Sequence, residues 1–242
     1  MTKQLLIYTS VTPLNRREHG DLAYKSDDSY AFARGINAVP LLVGEFAAAS
    51  GDFALVFAAG DDTPLPVVLF GVEADNNVFV GPEGKWLGAY VPAFLRRWPF
   101  VFSTDAGGET YTLCIDETAP GFNREGRGER LFDSDGLATG YTNRMLEFLK
   151  EFQAQHERTK TFCRRLQELD LLQSVEAHIP LPGLPARTLT GFQVINREKL
   201  KALPVATLEP MFRGDELELI YLHLFSMRNL DRLREQAVRA LE

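Results

Sequence analysis

The clearest periodicity in the chain runs over residues 142–171. Leu146, Leu149, Phe152, Thr159, Phe162, Cys163, Leu166 and Leu169 recur at helical spacing, with Lys, Arg and Glu between them. That spacing lays one apolar stripe along an α-helix. Thr142 or Asn143 is the expected cap at its start. A second long helix is predicted over 217–241. Leu217, Ile220, Tyr221, Leu224 and Met227 lie on one face, Leu230, Leu233, Ala237 and Leu241 continue it, and a kink is expected near Asn229. A short helix over 198–203 is stopped by Pro204.

Before residue 119 the pattern changes. Short apolar runs bounded by Gly, Pro, Asn and Asp predict strands over 5–8, 39–43, 53–57, 66–72, 78–80, 99–104 and 110–116. The runs 66–72 and 78–80 flank Asp75-Asn76-Asn77 and predict a hairpin. Residues 15–19 form a single polar turn, 45–49 a short Ala-rich helix, and 91–97 another with Pro92 in its first turn. Connections this short favour antiparallel pairing. Residues 119–140, with Gly at 121, 126, 128, 136 and 140, are expected to be loop. The run Ile179-Pro180-Leu181-Pro182-Gly183-Leu184-Pro185 excludes regular structure and makes 179–187 a rigid crossing. One more strand follows over 189–195. The expected fold is therefore α+β. A mostly antiparallel sheet from the N-terminal half is packed by one long central helix and by C-terminal helices. It forms a single domain over 1–242: β-rich to 118, loop over 119–140, helical from 141.

Composition narrows the class. A chain of 242 residues with 45% apolar and 24% charged positions can bury a sizeable core. Phe is frequent at 17 and Met scarce at 4, which favours a rigid interior. The net charge of −7 argues against nucleic acid as a partner. Cys114 and Cys163 belong to no CxxC pair and are expected buried and reduced. The start, MTKQLLIYTSVTP, lacks the apolar stretch and cleavage site of a signal peptide, and no run approaches the roughly 20 apolar residues of a membrane helix. The expected location is the cytoplasm, with no membrane insertion.

The densest aromatic segment is GKWLGAYVPAFLRRWPFVF, residues 84–102. It holds Trp86, Tyr90, Phe94, Trp98, Phe100 and Phe102 around Arg96 and Arg97. Rings of this size dominate cores and interfaces, and arginine grips anions and stacks on rings. Neighbouring helical residues point about 100° apart, so the two arginines have different jobs. One is expected to face the sheet and pair with Asp116 or Glu45, leaving the other for an anionic ligand. The candidate ligand-binding set is Arg96, Arg97, Trp86, Tyr90, Asp116 and Glu45. Asp116 and Glu117 end a strand on opposite faces, which favours a salt bridge over a matched acid–base pair. His19-Gly20-Asp21 is an HxD, two of the three ligands in non-haem iron oxygenases. His156, His178 and His223 are the candidates for a third, and a turn-capping His19 is the plainer reading. No GxSxG, GxxxxGK[ST] or GxGxxG occurs, and Gly126-Arg127-Gly128-Glu129-Arg130 lacks a strand-to-helix context. No cofactor is expected.

Several stretches carry a family resemblance. VPLLVGEF (39–46), GKWLGAYVPAFLRRWPFVF (84–102), LCIDE (113–117), GERLFDSDG (128–136), GFQVINREKLKALP (191–204) and YLHLFSMRNLDRL (221–233) resemble the SapC family of bacterial proteins. Trp98 stands where that family more often has Tyr. The family takes its name from a protein linked to bacterial surface layers. Relatives of this length resemble products of gene neighbourhoods carrying TonB-dependent outer-membrane receptors and flavin-dependent halogenase-like proteins. The resemblance implies envelope-related or uptake work and, together with the absence of a catalytic motif, a non-enzymatic accessory or binding protein with a protein or small-molecule partner. The alternatives are a metal-dependent oxygenase using His19 and Asp21, and a homo-oligomeric scaffold with 217–241 as its interface.

Overall fold

The computed structural model describes residues 6–59, 63–104, 110–180 and 186–239. In the N-terminal half the elements are β1 (Val11–Pro13), α1 (Arg16–His19), β2 (Ala23–Tyr24), β3 (Ala38–Pro40), α2 (Phe46–Ala49), β4 (Leu55–Ala58), β5 (Leu65–Leu69), α3 (Ala93–Arg96), β6 (Phe100–Thr104) and β7 (Tyr111–Asp116). They continue with β8 (Phe122–Asn123), β9 (Glu129–Arg130), α4 (Gly140–Glu168), β10 (Leu172–Ile179), β11 (Arg187–Ile195), α5 (Arg197–Lys201), α6 (Val205–Arg213), α7 (Glu216–Ser226) and α8 (Asn229–Arg239). The fold is α+β, with antiparallel sheets, one long central helix and C-terminal helices.

The strands form three sheets in the orders β10-β11-β4-β5-β3, β1-β7-β6 and β8-β2-β9. The largest draws two of its five strands from beyond the central helix, so the sheet is not confined to the N-terminal half. β10 carries a clear signal for this: Ser174-Val175-Glu176-Ala177-His178-Ile179 alternates strictly between polar and apolar. It runs directly into the Pro-rich segment, and β10 and β11 pair as antiparallel neighbours with Ile179 opposite Arg187. The Pro-rich segment therefore joins two strands of one ladder; its residues 181–185 lie outside the described set.

Other expectations shift for local reasons. Residues 6–8 of the expected first strand are turn and coil, Leu5 lies outside the described residues, and the first strand is β1 instead. The expected hairpin return at 78–80 is irregular, because β5 is already flanked by β3 and β4. Residues 119–140 carry β8 and β9, which sandwich β2. The cap of α4 is Thr139, whose hydroxyl accepts from the Thr142 N–H. Thr142 instead donates its hydroxyl to the Leu131 carbonyl at 2.8 Å. Pro204, read as a stop, also opens α6.

The main core is aromatic. Phe46, Phe53, Phe57, Phe70, Phe79 and Phe94 are fully buried. Phe46 meets Phe162 of α4 edge-on at 6.3 Å, and Phe53, Phe70, Phe79 and Trp86 form one network of mostly edge-to-face contacts. A second cluster of Leu22, Tyr24, Phe100, Ile115, Leu131 and Leu149 sits beneath the start of α4. Cys114 and Cys163 are both buried free thiols, and burial pushes the Cys163 thiol up to about 12.

The break between α7 and α8 falls where the sequence predicts a kink, and polar side chains hold it. Ser226 accepts from the Leu55 N–H at 3.0 Å, and Asn229 donates to the carbonyls of Ser50 and Phe53 at 2.7 and 2.9 Å. On the same inner side His223, fully buried, accepts the Ile195 N–H on Nε2 at 3.1 Å. Burial pushes its pKa down to about 4, against a smaller opposing pull from the Leu55 backbone.

This histidine sets an acid limit on stability. Its folded pKa lies below the unfolded value near 6.5, so its neutral form stabilises the fold fully above about pH 6.5. That contribution, roughly 3 kcal/mol, is lost as the pH falls from about 6.5 toward 4. In His223→Gln the amide oxygen still accepts from Ile195, and the urea midpoint should depend less on pH across this window. An unchanged acid limb would show that another group governs it.

Candidate functional site

The aromatic segment enters the core without regular structure between Trp86 and α3, and its backbone donors need acceptors. Two buried carboxylates supply them. Asp52 Oδ2 accepts from the N–H groups of Ala89 and Tyr90 at 2.5 and 2.9 Å. Glu45 Oε1 accepts from the Ala93 N–H and from the Tyr90 hydroxyl, both at 2.7 Å. The other Glu45 oxygen turns back to the Leu42 N–H at 3.0 Å, closing the start of its own helical turn. Trp86 Nε1 donates to the Tyr90 carbonyl at 2.8 Å. A Cβ on Gly88 would lie 2.8 Å from that indole nitrogen, which is why glycine stands there. Burial first, and then Glu45, push the Tyr90 hydroxyl up to about 12, so it keeps the proton it donates. On the far side of Asp52, Oδ1 meets Arg232 of α8 at 3.0 Å.

The two arginines separate as the helical geometry requires. Arg96 is exposed. It donates from Nε to the Val91 carbonyl at 3.0 Å and from Nη2 to the Tyr90 hydroxyl at 3.4 Å, over the rings of Tyr90 and Phe148. Arg97 is 3% exposed. Its guanidinium carbon sits 4.2, 4.8 and 5.6 Å from the ring centres of Phe94, Phe152 and Tyr8. Burial lowers its pKa below the usual arginine value, and Tyr8 partly opposes this. Among the described residues neither arginine closes the expected ion pair with Glu45 or Asp116. Both carboxylates are filled by donors that lie closer. Asp116 Oδ2 takes the Thr9 N–H at 2.7 Å. Its Oδ1 takes the N–H groups of Ser10 and Thr118 and the Thr118 hydroxyl, at 3.1, 3.2 and 2.7 Å. Burial alone would raise the Asp116 pKa, but these four hydrogen bonds outweigh it and hold the pKa below its usual value.

Thus Glu45, Tyr90, Arg96 and Trp86 are brought together, whereas Arg97 and Asp116 lie around Tyr8. Asp52 carries no signal in the sequence, because Oδ2 is met by backbone groups that every residue possesses and Oδ1 by an arginine 180 residues away.

The HxD pair diverges. His19, buried at the end of α1, accepts the Asn15 N–H on Nδ1 at 3.1 Å and faces Glu117 Oε1 through Nε2 at 3.0 Å. Asp21 turns outward to an ion pair with Arg124. His156 sits on α4, His178 on β10 beside Thr188, and His223 on the inner side of α7. Among the described residues no group of three or more His, Cys, Asp or Glu side chains is placed to hold a metal ion.

A groove of about 740 Å³ opens where β10 and β11 meet the connection from β4 to β5. It is lined by Ala59, Thr63, Pro64, Gln167, residues 174–176 of β10 and residues 190–193 of β11. The ladder register shifts here between Val175 and Ala177, and Gly191 adopts a φ of 79°. Such a bulge re-aims the adjacent side chains. Among the described residues the lining offers amides from Gln167 and Gln193, hydroxyls from Ser174, Thr190 and Thr63, and the carboxylate of Glu176. Among the described residues it contains no Lys or Arg, so it suits a neutral or cationic polar ligand better than an anion.

The profile of the SapC family matches residues 14–233, and the chain belongs to that family. No curated protein and no solved structure matches it.

The geometry separates structural from surface roles by stability. Glu45→Gln and Asp52→Asn should each cost about 1–3 kcal/mol in urea unfolding, because an amide NH2 then faces a backbone donor in the first and the Arg232 guanidinium in the second. Arg97→Ala should cost about 3 kcal/mol or more, whereas Arg96→Ala should stay within about 1 kcal/mol. Equal losses for the two arginines would refute the assigned roles.

Proposed function

We propose that this SapC-family chain is a non-enzymatic cytoplasmic accessory protein that binds a protein or small-molecule partner in support of envelope or TonB-dependent uptake systems. The observation that carries the reading is the bulged β10–β11 groove. Its lining is rich in hydrogen-bonding groups and poor in groups that perform chemistry. The carboxylates of Glu45 and Asp52 are engaged in holding the backbone of the aromatic segment, which favours the groove as the recognition surface. A ligand that donates hydrogen bonds fits this lining best. The oxygenase reading would require His19 and Asp21 to abandon Glu117 and Arg124.

Affinity capture from the native host tests the reading. The intact protein should recover a specific partner or ligand. Glu176→Gln combined with Gln193→Ala should lose it while melting at the same temperature. Capture of nothing specific, together with turnover of a substrate, would overturn the proposal.

A further inference from the structure

The helix α7, ELELIYLHLFS, is apolar around nearly its whole circumference. Helices of that kind are normally covered on all sides. Here one side is covered: Ile220, His223 and Ser226 are buried against the strands and α2. On the other side Tyr221 and Phe225 are 53% and 50% exposed. Glu218 and Arg228 are exposed at the two ends of the same stripe, since 218, 221, 225 and 228 follow three- and four-residue steps. Arg228, in the turn two residues past the end of the helix, lays its guanidinium carbon 3.7 Å from the centre of the Phe225 ring. Neighbouring α6 also leaves Phe212 exposed.

The order along this stripe is acid, aromatic, aromatic, base. Positions 218 and 228, and likewise 221 and 225, are symmetric about residue 223. We propose that this face binds a second copy of the chain, α7 against α7 in antiparallel array about a two-fold axis. In that arrangement Glu218 lies beside the partner's Arg228, and Tyr221 packs on the partner's Phe225. Each contact then occurs twice, as an isologous interface demands. Charge complementarity selects this occupant. The chain carries a net charge of −7, so two arbitrary surfaces of it tend to repel, whereas this stripe is balanced and self-complementary. The proposal rests on α7 and is independent of the groove.

Sedimentation equilibrium of the full chain tests it. The wild type should form a reversible dimer that weakens with added salt. Phe225→Ser and Tyr221→Ser, at half-exposed positions, should each weaken it about tenfold or more without changing the circular dichroism spectrum. Glu218→Arg alone and Arg228→Glu alone should also weaken it, and the double exchange should restore it. A wild type that stays monomeric at all concentrations would overturn the proposal, as would a dimer indifferent to Phe225→Ser and Tyr221→Ser. A monomer whose α7 face captures a different protein would overturn the choice of a second copy.

Discussion

A backbone N–H buried without an acceptor costs a fold as much as a lost hydrogen bond. That constraint is sharpest where the aromatic segment crosses the core without strand or helix to absorb its own donors. Glu45 and Asp52 meet it from two sides. One carboxylate takes Ala93 and the Tyr90 hydroxyl, and the other takes Ala89 and the Tyr90 N–H. The segment is thereby fixed between α2 and α3, Trp86 is delivered to the Phe53–Phe70–Phe79 network, and α8 is tied on through Arg232. A longer or shorter side chain at either acid would leave the donors unmet, because both oxygens of each are in use.

The same economy explains why residues with chemical potential are quiet here. Asp116 gathers the N–H groups of Thr9, Ser10 and Thr118, holding the N-terminal segment onto the β7 strand. His19 closes α1 against Asn15 and reaches Glu117. Arg97 is enclosed by three rings, where its charge is stabilised by their π faces. A carboxylate or imidazole with several fixed internal partners cannot reorganise cheaply around a substrate or a metal. The β10–β11 groove, by contrast, gathers the polar residues Gln167, Ser174, Glu176, Thr190 and Gln193 in one open lining.

Much of the architecture was legible in the sequence, and the reason is periodicity. α4 declares itself through an apolar stripe, β6 and β7 through paired apolar runs, and the α7–α8 break through Asn229. β10 was equally periodic but was masked by the prolines that follow it. The divergence of Arg96 and Arg97 follows from helix geometry alone. Their partners do not, because the competing donors to Glu45 and Asp116 are backbone groups, which no residue type announces. For the same reason HxD spacing could not foretell that His19 turns inward and Asp21 outward. The groove was hidden for a different reason: it is assembled from β10, β11, residues flanking β4 and β5 and the end of α4, and β10 was not among the expected strands.

The position of α7 ties these features together. Its inner side is held at several points, by His223 to β11, by Ser226 to β4 and, just beyond its end, by Asn229 to the α2–β4 turn. Phe57 of β4 lies against the His223 ring at 5.1 Å, and β4 pairs with β11 through Phe57 and Ala58 opposite Gln193 and Phe192. Those last two residues also line the groove. The outward face of α7 and the groove therefore share one hydrogen-bonded support. Because burial holds the His223 pKa down to about 4, its imidazole adds no buried charge to this support across the physiological range.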